Sequence, residues 1–202
     1  MDNDPKAMLH RYLRTARASL LWKLDGVSDY DVRRPLTPTG TNLLGIVKHL
    51  ATVELGYFGD TFERPHGERF PWDDREQKPN EDMFARADET RGEILSLYER
   101  AAAHSDTTID ALSLDDEGDV PWWPDDVNPG TLHWIMVHMI AETNRHLGQI
   151  DILREGLDGH AGLRPNGSNL PEESQEWWAA YVADLEVAAR TSAGLSPEPG
   201  NG

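Results

Sequence analysis

Apolar residues recur at three- and four-residue spacing along four long stretches of this chain, and nowhere do they alternate with polar residues as in a half-buried strand. Helices that pool their apolar stripes in a shared core satisfy such a pattern, so the fold class expected is all-α, a four-helix bundle. Asp4-Pro5 reads as an N-cap followed by proline at the first helical position, and Leu9, Leu13, Ala16, Leu20 and Leu24 follow until Gly26. Thr41 or Asn42 caps a second helix running through Ile46, Val47, Leu50, Leu55 and Phe58 to Phe62. Pro65, Pro71 and Pro79 make 65–79 a loop. A third helix is expected from a cap at Asn80, carrying Met83, Phe84, Ala87, Ile94, Leu97 and Tyr98, with a second connection over 104–130. Thr131 caps the fourth and most apolar helix, which reaches Gly156, and Pro171 opens an accessory C-terminal helix with Trp177, Trp178 and Tyr181. The organisation expected is one helical domain over 1–190 and a disordered tail over 191–202.

Charge and cysteine content narrow the chemistry. Nineteen Lys and Arg against 36 Asp and Glu leave a net charge of −17, which disfavours nucleic acid and anionic membranes as partners. The longest apolar run, Trp177 to Ala183, is far short of the ~20 residues of a spanning helix. The acidic start Met1-Asp2-Asn3-Asp4-Pro5 is unlike a basic secretory leader, so a cytoplasmic location is expected. There is no cysteine, hence no disulfide, thiolate metal cluster or cysteine nucleophile. Thiol chemistry, if performed, requires a thiol from outside.

Of eight histidines, His10, His66, His104 and His160 fall in loops or near helix ends and read as solvated or capping groups. His138, Glu142 and His146 are four apart on the fourth helix and share one face, whereas His133 lies well off it. Metal sites in bundles are built from inward-pointing Glu and His on facing helices. His49 sits beside the apolar stripe of the second helix and, taken alone, reads as a core histidine with one hydrogen bond. Glu142 lies among Met136, Met139, Ile140, Leu147 and Ile150, where a buried carboxylate needs a partner. The zincin pattern His-Glu-x-x-His is absent.

Two segments, Leu43-Leu44-Gly45-Ile46-Val47-Lys48-His49-Leu50 and His138-Met139-Ile140-Ala141-Glu142-Thr143-Asn144-Arg145-His146-Leu147-Gly148-Gln149-Ile150-Asp151, together resemble the DinB-like superfamily. They are most similar to its thiol-dependent branch, which includes mycothiol-dependent maleylpyruvate isomerase. The resemblance covers about Leu9 to Gly156. It implies a divalent metal held by His49, Glu142 and His146, with Gln149 and Asp151 as candidates to support the ligands from behind and His138 either doing the same or packing in the core. Three protein ligands leave coordination positions open, the catalytic arrangement. Zn²⁺ suits two imidazoles and a carboxylate best, and Ni²⁺, Fe²⁺ or Co²⁺ suit the same set.

The implied activity is transfer of a small mycothiol-like thiol to an electrophile, or a thiol-dependent isomerisation. The implied partners are that thiol and that electrophile. Trp22, Trp122 and Trp123 are candidate pocket walls, and Lys48, Arg145 and Arg154 candidate anion holders. No general acid or base stands out. Two alternatives stay open: a non-catalytic metal-binding bundle serving as sensor or scaffold, and a metal-dependent hydrolase. Homodimerisation through the aromatic Trp177-Trp178-Tyr181 segment is a further expectation.

Overall fold

The computed structural model describes residues 4–73, 76, 78–165 and 167–195. Four helices build the bundle: α1 (Pro5–Trp22), α2 (Leu43–Phe58), α3 (Arg91–Ala111) and α4 (Leu132–Asp158). A two-residue antiparallel ladder, β1 (Glu117–Gly118) with β2 (Gly130–Thr131), ties the connection after α3 to the start of α4. The chain divides into two compact units, Met1–Gly167 with the whole bundle and Ser168–Gly202 with α5 (Gln175–Ser192). Residues 196–202, most of the expected tail, lie outside the described residues; α5 itself continues to Ser192 and is capped by the Ser174 side chain. Among the described residues, no helix is long and apolar enough to cross a membrane.

Caps fall where their chemistry requires. The Asp4, Asn42 and Thr131 side chains accept from Ala7, Gly45 and Trp134 backbone N–H groups, satisfying donors that the first helical turn leaves free. Two expectations are corrected. The third helix starts at Arg91 rather than after Asn80, because Thr90 and Glu93 form a reciprocal capping box and Asn80 is held at φ 58° in the left-handed region. The same helix runs to Ala111, so His104 is helical and the connection begins after 111, not at 104. Ala101-Ala102-Ala103 favours continuation, and Ser105 and Thr107 spend their hydroxyls on carbonyls one turn back.

α2 packs most extensively on α3 and α1 on α4, with α2 also meeting α4. The core is split in two. One apolar cluster gathers Leu20, Leu24, Leu43, Ile46, Val47, Leu50, Tyr98, Leu147 and Ile150; the other gathers Leu13, Phe58, Ile109, Leu132, Met136 and Met139. Between them each helix carries buried polar groups: Arg17 on α1, Glu54 on α2, Ser105 and Thr108 on α3, Thr143 and His146 on α4. Burying charge mid-bundle is costly unless it is paired. Here Arg17 donates to both Glu54 oxygens at 2.8 and 2.6 Å and to Asp106 at 2.7 Å, while His10 contacts Asp106 at 2.6 Å.

Candidate metal centre and adjoining cavity

The polar belt places His49, Glu142 and His146 together, one ligand atom from each lying within 4.8 Å of the others. Glu142 Oε1 is 2.9 Å from His146 Nε2 and 3.5 Å from His49 Nε2. The two rings meet edge to face, centroids 4.9 Å apart. On the far side of each ring, Nδ1 is held: His49 at 2.6 Å from Asp82 and His146 at 2.8 Å from Gln149 Oε1. A carboxylate only accepts, so Asp82 fixes the His49 proton on Nδ1 and leaves the Nε2 lone pair facing Glu142. Lone pair against carboxylate is repulsive unless a proton or a cation lies between them. The donor set therefore fits a divalent cation, with both imidazoles oriented by partners behind the ring, as metal-ligating histidines commonly are.

Electrostatics agree with a carboxylate kept ionised. With protons on the facing Nε2 atoms, the upward push of burial on the Glu142 carboxyl is overcome by charge and hydrogen bonding from His146 and His49, which hold it below the ordinary range. The Asp82 carboxyl is also lowered, chiefly by the hydrogen bond from His49.

Asp82 reaches the site because the 80–90 segment lies directly against α2. A Cβ at Gly45 would stand 1.9 Å from the Met83 carbonyl oxygen, so glycine alone permits that approach. Sequence reasoning missed Asp82, since it belongs to a stretch read as helix and no spacing links it to His49.

Of the residues expected behind the ligands, Gln149 occupies that place. His138 does not touch the imidazoles: its ring packs on Tyr57 at 4.7 Å and Trp123 at 5.6 Å, and burial lowers its pKa. Asp151 points elsewhere, forming an ion pair with Lys23 at 2.6 Å, because five residues on α4 rotate it about 140° from His146. Lys48 and Arg154 are buried in pairs with Glu89 and Asp158, and Arg145 is exposed, so none of the three faces the centre.

A cavity of about 690 Å³ opens beside the triad. His49, Glu142 and His138 form its floor, and Tyr57, Trp122, Phe70 and Trp72 its aromatic walls. Tyr57 Oη accepts from both the Trp122 and Trp123 indoles at 3.1 and 3.0 Å, which locks that wall. Trp22 instead lines a separate cavity beside α1. His66, expected to be solvated, also lines the cavity by the triad; nothing in its sequence context marks it.

Comparison with known proteins bears on the fold and on the family. A crystal structure of a conserved Enterococcus faecalis protein superposes with a TM-score of 0.57 at 15% identity, covering 79% of this chain and 100% of that one, and so shares the fold. No curated protein matches the chain. The family model described as mycothiol-S-transferase matches residues 8–159, a span holding α2, α3, α4 and all of α1 beyond its first three residues, with the triad, Asp82 and the cavity. The chain belongs to the mycothiol-S-transferase family.

Proposed function

We propose that this protein transfers a small mycothiol-like thiol to an electrophile at a divalent metal held by His49, Glu142 and His146, with Zn²⁺ the metal of first choice. The observation that carries the reading is the convergence of two imidazole Nε2 atoms on one Glu142 oxygen, each ring anchored through Nδ1, at the edge of an open cavity. A divalent cation there would lower the pKa of an incoming thiol, giving a nucleophile at neutral pH. The protein's own groups do the rest. Asp82 and Gln149 fix the ring orientations, Tyr57 and Trp122 shape the wall while Trp123, which does not line the cavity, braces Tyr57 from behind, and the absence of cysteine leaves the nucleophile to the cosubstrate. An open cavity beside three donors favours a reacting site over a closed binding site, which supports an enzyme rather than a scaffold.

The test is turnover of monochlorobimane with mycothiol by zinc-loaded protein, beside His49→Ala and a chelated sample. Loss of both stoichiometric zinc and rate enhancement in His49→Ala supports the proposal. Full metal retention in that variant, or an uncatalysed rate across a panel of cellular thiols, overturns it. Turnover of an ester by the same preparation would then favour the hydrolase.

A further inference from the structure

The metal-centre reading leaves open what keeps Asp82 on His49. The two belong to different segments, His49 to α2 and Asp82 to the stretch 81–90, which has neither helix nor strand. Resting on that reading, we propose that Lys48 is a positioning residue. Its ammonium straps 81–89 across α2, and so holds the Asp82 carboxylate behind the His49 ring.

Lys48 is 2% exposed, a buried cation between the wholly buried Val47 and Leu50. A charge at that depth is costly unless it is paired and hydrogen-bonded. Among the described residues, every hydrogen-bond acceptor of its Nζ lies on 81–89: the Glu81 carbonyl at 3.4 Å, the Phe84 carbonyl at 3.1 Å and the Glu89 carboxylate at 2.9 Å. The two carbonyls bracket Asp82, one residue before it and two after. An irregular stretch has no ladder to satisfy its carbonyls, and the ammonium does so from α2. Arg33 holds the far end of the stretch through the Arg86 and Glu89 carbonyls, and Asn42 reaches the Met83 carbonyl at 3.4 Å. Lys48 thus supplies charge-assisted bonds on both sides of Asp82. Phe84 and Trp72 present their rings to the same Nζ, with centroids at 5.8 and 5.6 Å. Trp72 also lines the cavity, so one buried cation ties the support of a metal ligand and part of the cavity wall to α2.

The test pairs zinc affinity with a direct view of the His49–Asp82 bond. In competition titrations with a chromogenic chelator, Lys48→Met should weaken zinc binding about tenfold. Lys48→Met/Asp82→Ala should lie within about twofold of Asp82→Ala, because both changes remove one and the same contact. In nitrogen-edited proton NMR, the His49 Nδ1 proton bonded to Asp82 should give a resonance that Asp82→Ala abolishes. Lys48→Met should abolish or broaden it too, in zinc-supplied and in metal-free protein. Lys48→Met/Glu89→Leu removes both charges and separates positioning from stability: it should regain urea resistance over Lys48→Met without regaining zinc affinity. Unchanged zinc affinity in Lys48→Met, additive losses in the cycle, or a persistent His49 resonance overturns the inference. Zinc affinity that returns with stability in Lys48→Met/Glu89→Leu overturns it as well. None of these readouts involves thiol turnover, so an uncatalysed thiol rate in a zinc-binding parent refutes only the transfer. A parent that binds no zinc refutes the metal centre, and the metal-free resonance still decides for Lys48.

Discussion

Replacing Glu54 with Gln tests the polar belt that spaces the two halves of the core. Glu54 is fully buried and receives two charge-assisted hydrogen bonds from Arg17, whose side chain is 6% exposed. Burial opposes the Arg17 charge, and the Glu54 carboxylate outweighs it, so the guanidinium is held above its ordinary pKa. The variant keeps shape but leaves a buried cation with less than its counter-charge. Breaking one side of such a pair costs about 3–5 kcal/mol. Asp106 still accepts from Arg17 at 2.7 Å, which places the loss at the lower end, about 3 kcal/mol. For a domain of this size that is a fall in Tm of roughly 6–12 °C. Urea denaturation followed by far-UV circular dichroism reads the change directly, because the belt lies within the helical unit. Arg17→Met/Glu54→Leu, which removes both charges, should come within about 1 kcal/mol of the parent, since the desolvation cost disappears with the pair. A Glu54→Gln loss under about 1 kcal/mol, or a double variant no more stable than the single one, would refute the reasoning.

Asp82→Ala should weaken zinc binding about 10–100-fold in a competition titration with a chromogenic chelator, because His49 loses the acceptor that orients it. Gly45→Ala should destabilise the fold by about 1–3 kcal/mol and weaken zinc binding as well, since the new Cβ displaces Met83 and with it Asp82. Asp106→Asn should destabilise the protein at neutral pH but not in acid. Burial raises the Asp106 carboxyl while His10 and Arg17 more than offset it, leaving the folded value below the unfolded one. A depressed folded pKa contributes stability that is complete above the unfolded value near about 3.9 and is lost as pH falls through the folded value, so paired urea titrations at neutral pH and at about pH 2 should differ in the gap they show. Light scattering at micromolar concentration checks the expected dimer; a strictly monomeric mass would count against a self-association role for the Trp177-Trp178-Tyr181 segment.

Helical periodicity, cap residues and the four-residue spacing of Glu142 and His146 are local properties, and the sequence determined them: the caps at Asp4 and Thr131, a cap at Thr41 or Asn42 that the structure resolves to Asn42, the four bundle helices, and the pairing of Glu142 with His146 on one face. Local signals erred where two competed. The reading of Asn80 as a cap passed over Thr90-Arg91-Gly92-Glu93, a capping-box pattern whose reciprocal bonds the structure shows formed. Spacing could not bring His49 to α4, since that depends on how α2 and α4 pack; the motif resemblance anticipated it, and the structure supplies the distances. Asp82 and the Tyr57 anchor for two tryptophans were beyond the sequence altogether. Each depends on irregular segments lying across helices from which they are separated by tens of residues. No periodicity encodes such contacts, because they are fixed by close approach, as at Gly45 against Met83, rather than by the repeat of a helix.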